Sequence, residues 1–365
     1  MIKKLIPILL IVLTSFFAKA QFNFTESKKW QEENTPELGG RSTLLIYKDG
    51  KIIFSNTEND MSRKQKIKGR FIARKMGKDK KEMIGNFDED SKMAIASCSK
   101  WLTAALIMTF VDEGKLKITD TVGKFLPQLS KAGKGNITIS NCLSHTTGVN
   151  AGDLKKSIKQ FKDFNNMGEA MSYIATLPMD SKPGESFRYS NVGLQIAGAV
   201  IEKISGKDFK TLFKERIALP CNMLHTDFGD KNLPIPAGSA SSTAEDYLQF
   251  LVMILNKGNY NGKQILKPES IELMQRCYTT DATIMYIPEE AKGWGYGFGE
   301  WMMNEVSGTQ SAESVTSPGL FGTFPWVNKK LGYAAILFTY NMNSKGRHER
   351  YLEIKSIIDK EVENK

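Results

Sequence analysis

The chain has 365 residues, of which 41% are hydrophobic, 25% charged and 10% aromatic, with 30 Gly and 12 Pro. That composition excludes a disordered or collagen-like polymer and fits one large domain or two interleaved ones. With 50 Lys and Arg against 40 Asp and Glu the formal charge is +10, which points to nucleic acid or an acidic surface only if the excess is spread along the chain.

It is not spread. Lys3 and Lys4 precede an apolar run over residues 5–17, and Ala18-Lys19-Ala20 supplies the small residues of a cleavage site. Residues 1–20 therefore read as a signal peptide that leaves Gln21 as the new N-terminus. The run falls short of the ~20 residues that span a bilayer, and no later stretch is apolar for long enough, which predicts a soluble periplasmic or secreted protein. Without Lys3, Lys4 and Lys19 the charge is +7. Between Arg63 and Lys81 ten cations face only Asp79, a local +9 that leaves the rest of the chain at −2. Nucleic acid is thus not expected as a partner. The basic insertion, about residues 63–81, reads as a solvated loop or as a contact for anionic envelope polymer or lipid head groups.

Residues 21–40 form a polar lead-in. Next, 42–47 and 52–54 flank Lys48-Asp49-Gly50-Lys51, and Asp-Gly between β-branched and aromatic runs predicts a hairpin. After the basic insertion, residues 96–113 carry Trp101, Leu102, Ala105, Leu106, Met108, Phe110 and Val111 ahead of Gly114, the pattern of a helix buried on both sides. A mostly helical insert over about 115–230 is punctuated by Pro127, Gly133, Gly148 and Pro183. Its clearest helix is 192–204, stopped by Ser205-Gly206. A further helix over 243–256 starts with capping residues and acids.

Strands are predicted over 295–303, 322–327 and 332–340, and the tail has the apolar spacing of an amphipathic helix. The order strands, helices, strands, helix predicts an α/β (α+β) fold in which an antiparallel sheet from both chain ends is flanked by helices and encloses the insert. A monomer is expected.

Cys98, Cys142, Cys221 and Cys277 are too few for a disulfide framework, and His145, His225 and His348 are scattered, so neither a metal nor another cofactor is expected. The glycine-rich stretch 293–299 alternates with aromatics and reads as a strand, not a phosphate cradle. Chemistry concentrates at Ser97-Cys98-Ser99-Lys100. The i, i+3 spacing sets Ser97 and Lys100 on one helical face. A serine becomes a nucleophile once a base takes its proton, and a lysine whose pKa is lowered by burial can be that base. The Ser97 N–H, at a helix start, can also help hold an oxyanion. Ser99 points about 100° away and cannot replace Ser97.

Six blocks in order resemble the serine hydrolases related to class C β-lactamases, DD-peptidases and esterases. They are Ile95-Ala96-Ser97-Cys98-Ser99-Lys100, Asp112-Glu113-Gly114-Lys115-Leu116, Cys142-Leu143-Ser144-His145-Thr146-Thr147-Gly148-Val149, Pro183-Gly184 through Tyr189-Ser190-Asn191-Val192-Gly193, Ser242-Thr243-Ala244-Glu245-Asp246 and Ser317-Pro318-Gly319. The resemblance implies a β-lactamase/transpeptidase-like domain over 41–365, with Ser97 acylated, Lys100 as its partner and Tyr189 as proton shuttle, its charged form favoured by Lys100. It also implies that Asn191, Ser317, Gly319 and Leu320 bind substrate, with the Leu320 N–H completing the oxyanion hole. His145 in this block is implied to be structural, Cys98 a buried filler, and Trp294, Tyr296 and Trp301 pocket walls or core.

One departure stands out: relatives often carry KTG or HxG where this chain has Ser317-Pro318-Gly319, without a cation for a substrate carboxylate. The expected activity is hydrolysis of a small-molecule or peptide ester, amide or peptide bond, favoured over efficient β-lactamase action. The alternatives are a penicillin-binding or sensing protein that deacylates slowly, and an acyltransferase.

Overall fold

The computed structural model describes residues 22–77, 79–88, 90–152, 160–161, 163–279, 281–303 and 312–364. The signal-peptide reading of residues 1–20 lies outside them. The polar lead-in is not featureless, since it contains helix α1 (Thr25–Asn34). The hairpin follows as β1 (Arg41–Lys48) and β2 (Lys51–Asn59), turned by Asp49 and Gly50 at φ of 51° and 84°, the left-handed pair that Asp-Gly accommodates. The basic insertion is helical as well: α2 (Arg63–Met76) and α3 (Lys80–Ile84) replace the expected loop. Ser62 and Gln65 form a reciprocal capping box that nucleates α2, and Gly77 at φ 64° ends it.

The buried helix is α4 (Ser99–Asp112), with every side chain from Ser99 to Phe110 buried, so it runs through the core and not along its surface. Further on, α5 (Val192–Ser205) ends at Gly206 in the left-handed conformation, and α6 (Ala244–Leu255) is capped by the Thr243 side chain on the Asp246 N–H. The remaining sheet strands are β3 (Gly295–Tyr296), β4 (Trp301–Met302), β5 (Ser314–Thr316), β6 (Phe324–Asn328) and β7 (Tyr333–Thr339), and α7 (Arg347–Glu363) closes the described chain.

The seven strands form one antiparallel sheet in the order β2-β1-β7-β6-β5-β4-β3, with Leu44 opposite Leu337 where the two chain ends meet. Alternate residues feed two layers. Leu44, Ile46, Trp326 and Leu337 pack with Phe24, Trp30, Tyr351, Ile354 and Ile358 from the terminal helices. Leu45, Val327, Ile336 and Phe338 pack with Trp101, Leu102 and Phe250 on the inner side. The expected single strand over 295–303 is a hairpin, because Gly299 turns at φ 76°. A Cβ there would lie 2.5 Å from the Lys100 carbonyl, so the turn sits directly on α4. All four cysteines are free.

Candidate active site

Ser97 lies in a short 3-10 turn, Ala96–Cys98, that leads into α4 and not within the α-helix itself. Ala96 takes φ 46°, a left-handed conformation that costs a residue with a Cβ about 1–3 kcal/mol. Its neighbours fix it there. The Ser99 hydroxyl donates to the Ala96 carbonyl at 2.6 Å and accepts from the Ala240 N–H at 3.0 Å. Ser99 is therefore committed to structure, while Ser97 stays half-buried. Cys98 is fully buried, its thiol pushed up by burial, as a filler and not a reactive group.

Lys100 is 1% exposed, and burial pulls its ammonium down from 10.5 to about 7. Its Nζ lies 2.8 Å from the Ala237 carbonyl, 3.2 Å from Asn191 Oδ1 and 3.4 Å from Ser97 Oγ. A neutral amine has two N–H donors and one lone pair. Two carbonyl-type acceptors can take the donors, which leaves the lone pair for the Ser97 proton.

Asn191 precedes α5 without capping it, so its side chain is available to Lys100. Ala237 had no legible signal in the sequence, because it acts through its backbone. Its loop is pinned by the Thr103 hydroxyl on Pro236 O at 2.6 Å and by Gln195 Nε2 on Pro234 O at 3.2 Å.

Tyr189 follows the short strand Ser186–Arg188, which pairs in parallel with Thr283–Tyr286. Lys100 Nζ lies 4.7 Å from its ring centroid. Burial pushes the phenol up, and a hydrogen bond with Ser97 pulls the other way without reversing it. Burial thus favours the neutral phenol in Tyr189 over the charged form that the resemblance implies, and leaves Lys100 as the candidate base.

His145, at φ 59°, packs edge-on at 4.7 Å between ring centroids against Tyr189 and bonds Tyr296 Oη through Nε2 at 3.0 Å. Burial, then Lys100, hold it well below its usual pKa, so it stays neutral as a wall under Tyr189. Tyr296 and Trp301 complete that aromatic wall, with Trp301 at 5.2 Å from Tyr189, and Trp294 packs into the same layer.

The opposite edge is the turn after β5. Ser317 is buried, and its hydroxyl donates to Gly299 O at 2.9 Å, with Ser97 O at 3.4 Å. Its hydroxyl proton is thus directed to the backbone. A Cβ on Gly319 would lie 2.4 Å from Ile95 O and 3.1 Å from Cys98 Sγ, so glycine permits this turn, which continues into Leu320, to press on the Ser97 segment. Among the described residues the Leu320 N–H meets no acceptor, and the Ser97 N–H lies in the first turn of a 3-10 segment, where N–H groups lack an intrahelical partner, so both are candidate oxyanion donors.

Arg347 was not foreseen. It is buried and its guanidinium donates to Leu320 O at 3.0 Å, Glu290 Oε1 at 3.1 Å, Asn341 O at 3.0 Å and Asn343 O at 2.9 Å, anchoring the oxyanion turn from behind. Ile284, Met285 and Tyr286, on the strand paired with the one that leads to Tyr189, and Leu320 on the turn are exposed apolar side chains.

The sequence model described as Beta-lactamase matches residues 42–357. An uncharacterised protein of Mycobacterium tuberculosis is 26% identical over 290 residues, covering 65% of this chain and 72% of that protein. The solved structure of a β-lactamase candidate from Bacteroides dorei DSM 17855 superposes with a TM-score of 0.76 at 27% identity, over 94% of this chain and 99% of that one. EstCE1, described as a hydrolase with promiscuous acyltransferase activity, superposes with a TM-score of 0.71 over 91% of this chain and 97% of its own; at 18% identity that likeness shows the fold alone. The family match spans the sheet, the Ser97 turn and both motifs that face it, and the chain belongs to the β-lactamase family of serine hydrolases.

Proposed function

We propose that this protein, working outside the cytoplasm after removal of residues 1–20, is a hydrolase that cleaves an uncharged ester or amide through a Ser97 acyl-enzyme. The observation that carries the reading is the Lys100 amine, brought down to about 7 by burial and 3.4 Å from Ser97 Oγ. Ser97 Oγ attacks the acyl carbon as its proton passes to Lys100 Nζ, and the carbonyl oxygen becomes an oxyanion held by the Ser97 and Leu320 N–H groups. The bond to the leaving alkoxide or amine then breaks as that group takes a proton from the Tyr189 phenol, which Lys100 replenishes. Water repeats the sequence on the acyl-enzyme: its proton goes to the Lys100 amine, its oxygen bonds the acyl carbon, and Ser97 leaves with a proton returned through Tyr189.

Preference for uncharged substrates follows from Ser317. A cation in its place would give a carboxylate a charge-assisted hydrogen bond of about 1.5–3 kcal/mol, or tenfold to 10²-fold in kcat/KM. The apolar rim of Ile284, Met285 and Leu320 favours an alkyl or aryl acyl group.

A panel of p-nitrophenyl esters, nitrocefin and D-Ala-D-Ala peptides tests the reading. Short-chain esters are expected to exceed nitrocefin by at least tenfold in kcat/KM, and a fluorophosphonate is expected to label Ser97. Ser97→Ala is expected to lose at least about 10⁴-fold in kcat while staying folded. No label on Ser97 overturns the mechanism, and nitrocefin as the better substrate overturns the specificity. The same apolar rim favours acyl transfer as a second reading, since it can hold an organic alcohol against the acyl-enzyme as readily as water reaches it; EstCE1 is described as having such activity. Product analysis with added alcohols separates the two.

A further inference from the structure

The basic insertion folds as a helix whose amphipathicity is turned outward. Gly69 and Ala73 are its buried positions, and a Cβ on Gly69 would lie 2.5 Å from Ile84 Cγ2, so α2 packs on α3 through small residues. Ile72 packs inward against the core, but two large apolar side chains face away: Ile67 is 56% exposed and Phe71 68%. At about 100° per residue these two lie about 40° apart at the centre of the exposed face. Arg74 and Lys64 flank them within about 20°, with Arg63, Arg70, Lys75 and Lys68 beyond.

The helix carries no acid, and among the described residues none of its cations forms a salt bridge. A solvated helix gains nothing from a phenylalanine at the middle of its exposed face. A soluble polyanion would satisfy the cations and leave Ile67 and Phe71 in water. A surface of anionic lipid takes both, with phosphates against the cationic rim and the acyl boundary against the apolar pair.

We infer that α2 is a peripheral docking element that lies on an anionic lipid bilayer, with Ile67 and Phe71 inserted at the head-group boundary and the surrounding lysines and arginines on lipid phosphates. No helix among the described residues is long and apolar enough to cross a membrane. The docking is independent of the Ser97 chemistry.

The test uses the chain from Gln21, which keeps every described residue and removes an apolar leader that would bind lipid by itself. Co-sedimentation is measured with vesicles of pure phosphatidylcholine and with 30% phosphatidylglycerol. Partitioning onto the anionic vesicles is expected to be at least tenfold stronger and to weaken between 50 and 300 mM salt. Ile67→Ser with Phe71→Ser, which keeps every charge, is expected to lose at least tenfold. Arg70→Gln with Arg74→Gln and Lys75→Gln is expected to do the same, and circular dichroism checks the helix in both. Should the serine variant unfold, Phe71→Trp supplies a direct readout: its fluorescence is expected to shift blue and to be quenched by bromolipid. Equal binding to both vesicle types, serine variants that bind like the parent, or a Phe71→Trp fluorescence signal blind to bromolipid would each overturn the inference. In the second case binding to heparin would mark α2 as a polyanion site.

Discussion

Lys100 and the lysines of α2 carry the same ammonium group into opposite surroundings. Lys100 is 1% exposed at the end of a helix buried on every side, and its charge is what the fold makes expensive. On α2 the cations stand in water around Ile67 and Phe71, where each is cheap to keep. Burial thus gives a lysine individual chemistry, a proton it readily releases, whereas exposure leaves it only a share in a collective field. Arg347 is a third case, a core cation kept in place by a carboxylate and three carbonyls.

Among the substitutions that probe this contrast, the largest effect is expected for Lys100→Met. Without the base, kcat is expected to fall by about 10³-fold or more. Wild-type kcat/KM should climb tenfold per pH unit below about 7 and level off above it, as the amine loses its proton. Stability should rise with pH as well, but in a higher window. The folded pKa of about 7 lies below the unfolded 10.5, so between these values the unfolded chain binds more protons and stability rises with pH. Below pH 7 both states are protonated and the full penalty of burying charge applies. Lys100→Met is therefore expected to be the more stable protein near pH 6, by up to about 5 kcal/mol less the cost of stranding Ala237 O and Asn191, with the advantage fading toward pH 10. Urea titrations across that range check it, and a variant less stable at every pH would break the contrast.

Arg347→Met should be the next largest. It leaves Glu290 and three carbonyls without their donor, at a cost of about 3–5 kcal/mol, and frees the back of the Leu320 turn. We expect kcat to drop tenfold or more with KM changed less, since the loss falls on the oxyanion; a variant with unchanged kcat would show that the turn holds itself.

Ser317→Ala is expected to be milder, about 1 kcal/mol or fivefold in kcat. The loss should be equal for neutral and carboxylated substrates, because the hydroxyl is bonded to Gly299 O. A loss confined to carboxylated substrates would return Ser317 to the substrate-binding role implied by the family resemblance.

Much of this was legible in the sequence where local chemistry and tertiary structure agree. Asp49-Gly50 makes the hairpin it should, Ser97 and Lys100 meet at i, i+3, and Gly206 stops α5. What escaped depends on contacts between distant segments. Nothing local announces that Ala96 takes a left-handed φ, that the Ala237 carbonyl faces Lys100, or that Arg347 reaches Leu320 from the start of α7. The stretch 295–303 alternates like one strand, yet Gly299 is pressed into a turn by α4. Residues 63–81 read as a loop because their apolar residues are few and two of them, Ile67 and Phe71, sit on the outward face, while the inward face is only Gly69, Ile72 and Ala73.

The smallest effect completes the contrast. Lys64 is exposed at the first turn of α2, where no acid balances it and the helix N-terminus already carries partial positive charge. Lys64→Gln should change stability by no more than about 0.5 kcal/mol, slightly in the stabilising direction, and leave kcat/KM on a soluble ester and its pH profile unaltered. Urea unfolding and ester kinetics measured beside Lys100→Met provide the check. A shifted rising limb near pH 7 in Lys64→Gln would mean that the α2 field reaches the Lys100 amine, and the two populations of lysine would then have to be treated as one electrostatic system.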